Sequence, residues 1–149
     1  MKKLCAFLLA LFLSLEVMAQ DVKGFWTTID DETKTPKSVV EIYEYKGKLF
    51  GRVVDIFGNK EATAKLPSSP KIMGLDIIWD LEKQGNKYKN GAILDPKKGK
   101  VYGCELWREG DNLIVRGKIA FLGRNQTWQR NTSFQKKDLT PFVPKIIKP

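Results

Sequence analysis

Histidine is absent from all 149 residues of this sequence. Its absence excludes Ser-His-Asp and Cys-His catalytic arrangements, histidine acid–base chemistry and zinc sites ligated by imidazole. Cysteine is scarce, because Cys104 is the only one outside an apolar run at the N-terminus. Cys104 lacks a partner for an internal disulfide, so we expect either a buried side chain or a free thiol. The sequence predicts no metal site, no cofactor and no recognisable catalytic centre.

Long apolar runs are also scarce, and the longest covers residues 4–13. This run has the length of a signal-peptide core and is too short to span a bilayer. Two lysines precede it, and residues 17–19 (VMA) place small side chains at the −3 and −1 positions of a cleavage site. We predict a cleavable signal peptide over residues 1–19, with an uncleaved anchor as the alternative. The protein is then periplasmic or secreted, with no transmembrane span after cleavage.

Acidic residues are too few to balance the basic ones. The chain has 17 Asp and Glu against 26 Lys and Arg, which gives a net charge of +9. A surplus of this sign attracts anionic lipid head groups, acidic polysaccharides or small anionic ligands. The alternative is a lysine-rich surface that serves solubility, which the scattered positions of the lysines favour. Nucleic acid is not expected as a partner of an exported chain.

Apolar stripes with helical spacing are missing from the rest of the chain. Instead, short runs rich in β-branched and aromatic residues alternate with turns that contain Gly, Pro, Asn or Asp. We predict eight strands, which cover residues 22–29, 38–45, 49–57, 74–81, 88–94, 100–107, 113–119 and 126–134. Residues 58–73 form the longest irregular stretch and are predicted to be a surface loop. Residues 121–125 are expected to join the last two strands.

Most of the predicted turns have the length of hairpin connections, so consecutive strands are expected to pair. Eight meandering antiparallel strands favour an up-and-down barrel, since closure removes the exposed sheet edges. Glycines within the strands would permit sharp bends at barrel corners; they are Gly51, Gly91, Gly103 and Gly117. The predicted fold class is an all-β barrel over residues 20–137, with a proline-containing tail over residues 138–149. Such a barrel encloses either packed side chains or one small ligand.

Short aromatic motifs lie in the first and last predicted strands, at residues 24–26 (GFW) and 128–130 (WQR). Their placement resembles the lipocalin and calycin arrangement, in which the G-x-W tryptophan packs near the closed end of the barrel. The resemblance implies that Arg130 covers the indole of Trp26, a cation–π contact that contributes about 0.5–2 kcal/mol. The residues of this structural motif are Gly24, Trp26, Trp128 and Arg130. The connection over residues 30–37 is too short for the two-helix lid of fatty-acid-binding proteins.

Longer stretches resemble the DUF2147 family of exported bacterial proteins, a family of unknown function. They are VEIY at 40–43, GKLFGR at 47–52, GAILDP at 91–96, GKVY at 99–102, LIVRG at 113–117 and GRNQTWQR at 123–130. Many relatives carry a pair of cysteines in the loop after the third strand, and this chain has none there. The resemblance implies the barrel fold and export, and it implies no activity.

Two tryptophans and three polar residues are candidate contacts for a ligand inside the barrel: Trp79, Trp107, Arg116, Arg124 and Gln126. Trp79 and Trp107 suit an apolar, aromatic pocket, and they are equally typical of a packed core. Arg116 would bind a carboxylate bidentately if it pointed inward, whereas the alternation of its strand favours an outward side chain. Arg124 and Gln126 lie beside a turn, where they are expected either to rim the barrel mouth or to brace the turn.

Three functions are compatible with these features. The leading hypothesis is a cell-envelope protein that binds a small amphipathic ligand, anionic or neutral, inside the barrel. The alternative is an envelope interaction module with a filled barrel, whose basic surface binds anionic lipid, glycan or protein. The third is a carboxylate enzyme, which would need two carboxylates that face each other across a cleft. The acidic cluster at residues 30–32 is more typical of a solvated turn than of such a site.

Overall fold

The computed structural model describes residues 21–119 and 122–149, so the signal peptide predicted over residues 1–19 lies outside the described part. Eight strands follow one another along the chain: β1 (Gly24–Ile29), β2 (Pro36–Tyr45), β3 (Lys48–Ile56), β4 (Asp76–Gln84), β5 (Lys87–Asp95), β6 (Lys100–Glu109), β7 (Asn112–Ile119) and β8 (Leu122–Arg130). Each strand is antiparallel to its neighbours, and β8 pairs with β1 to close the barrel. The predicted fold class, an eight-stranded up-and-down barrel, is confirmed.

The two ends of the barrel differ in their connections. The tight turns β2–β3, β4–β5 and β6–β7 lie at one end, together with the residues that precede β1, and we call it the closed end. The connections β1–β2, β3–β4, β5–β6 and β7–β8 lie at the opposite end, the open end. No helix in residues 21–119 and 122–149 is long and apolar enough to cross a membrane.

Strand β8 begins at Leu122, earlier than predicted, because its pairing with β7 continues to the end of that strand. Ile119 and Leu122 are directly opposed, although their exposed fractions are 62% and 67%. This part of β8 buries almost nothing, so the alternation of apolar and polar residues that marks a strand is missing there. The strand also ends early, at Arg130. The side chain of Asn131 accepts a hydrogen bond from the backbone N of Phe134 at 2.8 Å and turns the chain.

Residues 57–75 connect β3 to β4 at the open end and are irregular, as predicted, but they are not only a surface loop. Ala64 and Leu66 have exposed fractions of 1% and 7% and belong to the hydrophobic core. The backbone N of Lys65 donates to the carbonyl of Pro96 at 2.8 Å and fixes the loop to the β5–β6 turn. The prediction of a surface loop is therefore wrong for this stretch, because apolar side chains within it complete the core.

Residues 131–149 follow β8 without regular secondary structure, and we call them the C-terminal tail. The stretch predicted as a tail, residues 138–149, does not extend into solvent throughout. The ring of Phe142 contacts Tyr43, an outward residue of β2, with ring centroids 5.1 Å apart. The guanidinium of Arg52 lies 4.1 Å from the centroid of the Phe142 ring. The tail thus covers part of the outer face of β2 and β3.

Candidate functional site

The half of the barrel interior near the closed end is a packed core. Large inward side chains there have exposed fractions of at most 2%, and they include Trp26, Ile42, Leu81, Leu106, Leu113 and Trp128. A side chain without accessible surface touches neither bulk water nor a void that could admit a water molecule. The described residues of this half therefore leave no room for a ligand unless side chains move.

The G-x-W residues close this end of the barrel. The indole Nε1 of Trp26 donates to the carbonyl of Val22 at 2.9 Å. The guanidinium of Arg130 lies 4.9 Å from the centroid of the Trp26 ring and donates to the carbonyl of Lys23 at 3.0 Å. Gly24 leaves the space that this arginine needs, because a Cβ at its position would lie 2.8 Å from a guanidinium nitrogen. The arrangement is structural and gives no access to a ligand.

Arg108 is a second cation at the closed end, and nothing in the sequence pattern pointed to it. Its guanidinium lies 5.8 Å from the centroid of the Trp26 ring and donates to the carbonyl of Asp21 at 2.9 Å. Both arginines that flank Trp26 thus also fix the chain that precedes β1. No sequence motif connects Arg108 with Trp26, because Arg108 lies in β6 and Trp26 lies in β1.

Towards the open end, the inward face becomes accessible to solvent. Ile93 is directly opposite Ile78 on one side and Tyr102 on the other, and Gln126 is opposite Val115. Opposed residues of antiparallel strands share a face, so Ile93, Tyr102 and Gln126 point inward. All three are half-buried, whereas Ile78 and Val115 are fully buried. The barrel therefore offers a shallow mouth above its packed half.

Hydrogen bonds link the buried core to the rim of this mouth. The indole Nε1 of Trp128 donates to Oε1 of Gln126 at 3.1 Å, and Nε2 of Gln126 donates to Oδ2 of Asp31 at 3.1 Å. The guanidinium of Arg124 pairs with the same Asp31 oxygen at 3.0 Å. Arg124 is opposite Gly117, where a Cβ would point at Ile93 and Tyr102, so Arg124 occupies an inward position.

Two of the five predicted contact residues, Arg124 and Gln126, are thus brought together, and Asp31 holds them. The side chain of Arg124 is 72% exposed and that of Asp31 33% exposed. A guanidinium has five N–H donors, so most of those on Arg124 can still bind an anion. The sequence placed Asp31 in a solvated turn, and only the closure of β8 onto β1 brings it beside Gln126.

The other three predicted contacts, Trp79, Trp107 and Arg116, lie on the outer face of the barrel. Each is the strand neighbour of an inward residue, and strand side chains alternate between the two faces. The ammonium of Lys87 lies 4.2 Å from the centroid of the Trp107 ring, and Arg116 donates to the side chain of Asn125 at 3.2 Å. Trp79 is 3% exposed. The hypothesis that these three residues contact a ligand inside the barrel is therefore wrong, whereas the outward side chain that strand alternation favoured for Arg116 is confirmed.

Cys104 is buried in the barrel wall, with an exposed fraction of 2%. Burial, and to a smaller extent the charge of Glu105, raises the pKa of its thiol to about 12. The thiol therefore stays protonated at neutral pH, which makes it a poor nucleophile. No group of three or more His, Cys, Asp or Glu side chains that could hold a metal ion lies in residues 21–119 and 122–149.

A buried polar cluster centred on Asp76 lies outside the barrel, beneath the C-terminal tail. Asp76 is fully buried and accepts hydrogen bonds from the hydroxyl of Tyr43 at 2.6 Å and from the guanidinium of Arg52 at 2.8 Å. The backbone N of Lys145 donates to Asp76 at 2.5 Å, and the backbone N of Asp76 donates back to the Lys145 carbonyl at 3.2 Å. Burial, and then the bond to Asp76, raises the pKa of Tyr43, so its hydroxyl remains a donor. The cluster attaches the tail.

Comparison with known proteins supports the barrel and names a family. No curated protein matches the sequence. The structure of protein HP1028 from the human pathogen Helicobacter pylori, described as belonging to the lipocalin family, matches with a TM-score of 0.64 and 22% sequence identity, over 76% of this chain and 84% of that chain. This likeness shows a lipocalin-like fold. The family model described as "uncharacterized protein conserved in bacteria" (DUF2147) matches residues 24–130. The chain belongs to the DUF2147 family, as its motifs predicted.

Proposed function

We propose that this chain binds a small amphipathic anion at the open end of its barrel. The observation that carries the proposal is the position of Arg124, whose side chain is 72% exposed at the rim and occupies an inward strand position. A guanidinium in this position binds a carboxylate, sulfonate or phosphate through paired N–H donors. The half-buried side chains of Ile93 and Tyr102 supply an apolar wall beneath it.

The packed half of the barrel limits the size of the ligand. A molecule that enters the mouth meets the buried residues Ile78 and Val115, so only the upper part of the interior is available. The head group then lies at Arg124 and Gln126, and the apolar group lies against Ile93. The proposal includes binding alone, with no cofactor and no bond-breaking step.

The expected test result is that replacing Arg124 by alanine weakens binding of an amphipathic anion about tenfold, because one charged hydrogen-bonding group is lost. The probe is anilinonaphthalene sulfonate, whose fluorescence increases in apolar surroundings, titrated into the wild-type chain and each variant. Arg116→Ala is the matched control, since it removes the same charge from the outer face of the neighbouring strand β7.

The pair of variants separates a site from a general charge effect. Weaker binding in Arg124→Ala with unchanged binding in Arg116→Ala supports the mouth. Equal weakening in both variants would show that the net charge of the surface, and not the mouth, attracts the probe. Binding that neither variant changes would also contradict the proposal.

We further propose that the protein works outside the cytoplasm. The support is the apolar run at residues 4–13 and the small residues before position 20. After expression in a bacterial host, the chain should be recovered in the periplasmic fraction or the medium, and N-terminal sequencing should begin at Gln20. Recovery in the cytoplasm with residues 1–19 intact would contradict export.

A second candidate function is favoured by the packed lower interior. If the barrel is mainly a scaffold, its outer face could bind an anionic envelope component such as lipid, glycan or an acidic protein. The outer face of β5, β6 and β7 carries basic residues for this role: Lys87, Lys89 and Arg116, with Trp107 among them. Lys118 lies on the same face and pairs with Glu105 at 2.6 Å. Weaker binding of the anionic probe in Arg116→Ala, with unchanged binding in Arg124→Ala, would favour this function over the first.

A further inference from the structure

A concave surface lies outside the barrel at the closed end, between the β2–β3 hairpin and the C-terminal tail. Its volume is about 400 Å³, and it is open to solvent along most of its extent. Tyr45 and Phe50 line it on the barrel side, and Val143 and Ile146 line it on the tail side. We call this surface the tail cleft. It shares no residue with the mouth at the open end.

The barrel side of the tail cleft is a rigid aromatic floor. Phe50 is 5% exposed and packs between two tyrosines. Its ring stacks on Tyr43 with centroids 5.7 Å apart, and it meets Tyr45 edge to face at 6.2 Å. These contacts hold the aromatic rings in place, so the floor does not depend on a ligand for its shape.

The tail side of the cleft is held by hydrogen bonds on both sides of Pro144. The guanidinium of Arg52 donates to the carbonyl of Val143 at 2.6 Å, and the backbone N of Asp76 donates to the carbonyl of Lys145 at 3.2 Å. Ile146 follows directly and packs against the hydrophobic core. The tail therefore forms a fixed wall of the cleft, and the apolar surface between wall and floor remains open to solvent.

Positive charge predominates around this apolar surface. Lys46 and Lys48 line the cleft, and the exposed residues Lys145 and Lys148 lie on either side of residues 146–147 in the chain. One acidic residue, Asp80, also lines it.

The two lysines that line the cleft differ in whether an acidic side chain already pairs with them. The ammonium of Lys48 is 3.6 Å from Glu82. That of Lys46 lies 5.3 Å from the centroid of the Tyr45 ring, where it stays accessible to an anion. Lys46 is therefore the cation that an anionic head group would meet first.

We propose that the tail cleft is a second binding site, for amphiphiles with one apolar chain and a carboxylate or phosphate head group. The apolar chain lies against Tyr45, Val143 and Ile146, which still have surface open to solvent, and burial of that surface drives binding. The head group meets Lys46 at the rim. This site goes beyond the proposed binding at the mouth and does not depend on it, because the two sites lie at opposite ends of the barrel.

The test titrates laurate, kept below its critical micelle concentration, into the full chain without its predicted signal peptide. The isoleucine and valine methyl groups are labelled and followed by NMR. The methyl signals of Val143 and Ile146 should shift in a saturable manner. Lys46→Gln should weaken laurate binding at least fivefold, whereas Lys98→Gln, in the exposed turn between β5 and β6 at the open end, should leave it unchanged. Lys46 lies in an exposed turn, so its substitution does not threaten the fold.

Three further measurements define which amphiphiles the tail cleft binds. Dodecyl phosphate in place of laurate identifies the preferred head group by which of the two binds more tightly. Dodecyltrimethylammonium, a cation with the same chain, should bind at least tenfold more weakly than laurate. Ile146→Asp should abolish laurate binding, since it places a carboxylate on the apolar wall, and circular dichroism checks that the barrel is intact.

Several outcomes would overturn the proposal. One is that laurate shifts the signal of Ile93 at the mouth and leaves Val143 and Ile146 unchanged. Another is that Lys46→Gln and Lys98→Gln weaken binding equally, which would mean that overall charge attracts the amphiphile. A third is that the cationic amphiphile binds as tightly as laurate. Because the methyl signals at the two ends are measured separately, failure to bind at one end leaves the result at the other end intact.

Discussion

Replacing Asp76 by alanine should lower the free energy of unfolding by about 3–5 kcal/mol and release the C-terminal tail from the barrel. Removing one partner of a buried ion pair has a cost of this size, because it leaves the other charge buried without compensation. The side chain of Arg52 is only 13% exposed and pairs with Asp76 at 2.8 Å. Its Nε is buried and has no hydrogen-bond partner among the described residues. Without Asp76, Arg52 keeps one hydrogen bond, to the carbonyl of Val143, and its contact with the ring of Phe142.

The same substitution removes the acceptor for two further donors. The hydroxyl of Tyr43 and the backbone N of Lys145 both donate to Asp76. A buried donor without an acceptor costs about 1–3 kcal/mol unless it can move to water. The tail can move, so we expect Lys145 to leave the barrel surface and expose the residues beneath it. The tail cleft would be lost with it, because Val143 and Ile146 form its outer wall.

Urea denaturation followed by tryptophan fluorescence measures the change in unfolding free energy, and limited proteolysis measures release of the tail. Glu61→Gln is the matched control. It breaks a surface pair with Lys71 at 2.6 Å, in which the side chains of Lys71 and Glu61 are 61% and 74% exposed, and it should cost less than about 1 kcal/mol. If Asp76→Ala destabilises no more than Glu61→Gln, or if the tail stays protected, Asp76 does not attach the tail.

Much of the barrel could be predicted because it depends on local chemistry. Lys46 and Gly47 have φ values of 48° and 81°, the conformation of a tight hairpin turn, and the sequence marks that turn with glycine. Gly91 shows why a glycine occupies a strand. A Cβ there would lie 2.7 Å from the side chain of Leu81 and from the carbonyl of Trp79. The glycine of the turn lies within the structure that it determines, and the contacts of Gly91 are made within its own β4–β5 hairpin.

The face of the sheet that each side chain occupies could not be predicted as simply, because bulges interrupt the alternation of inward and outward residues. Asp80 in β4 and Asn90 in β5 have φ values of 60° and 62°, and each lies beside an irregularity in the pairing of its strand. A bulge moves the following side chains to the opposite face. Strict alternation would place Trp79 and Leu81 on the same face of β4, whereas Trp79 points outward and Leu81 points inward because the bulge at Asp80 lies between them.

The polar clusters also could not be predicted from the sequence, because their members are far apart in the chain. Asp31 and Gln126 are separated by 95 residues and meet only because β8 pairs with β1. Asp76 and Lys145 are 69 residues apart and meet because the tail returns across the outer face. Pattern and composition carry no information on such contacts. In each case one partner lies in a segment without regular structure, whose path is fixed by the contact itself.

Replacing Trp26 by alanine should lower the free energy of unfolding by about 3–5 kcal/mol, the cost of removing a large aromatic side chain from a packed core. Trp26 has an exposed fraction of 0% and fills the closed end of the barrel. Its loss also leaves Arg130 and Arg108 without the ring that both cover. The measurement is the midpoint and slope of urea denaturation, compared with the wild-type chain.

Two variants distinguish the packing of Trp26 from its polar contact. Trp26→Phe keeps an aromatic ring and loses the bond from Nε1 to the carbonyl of Val22, so it should cost about 1–2 kcal/mol, less than the alanine variant. Trp107→Ala removes a tryptophan from the outer face and should cost less than either, because Trp107 is only half-buried and its polar contacts, Lys87 and Glu109, lie at the surface. If Trp26→Ala and Trp107→Ala destabilise equally, the closed end is not the packed core that this structure shows.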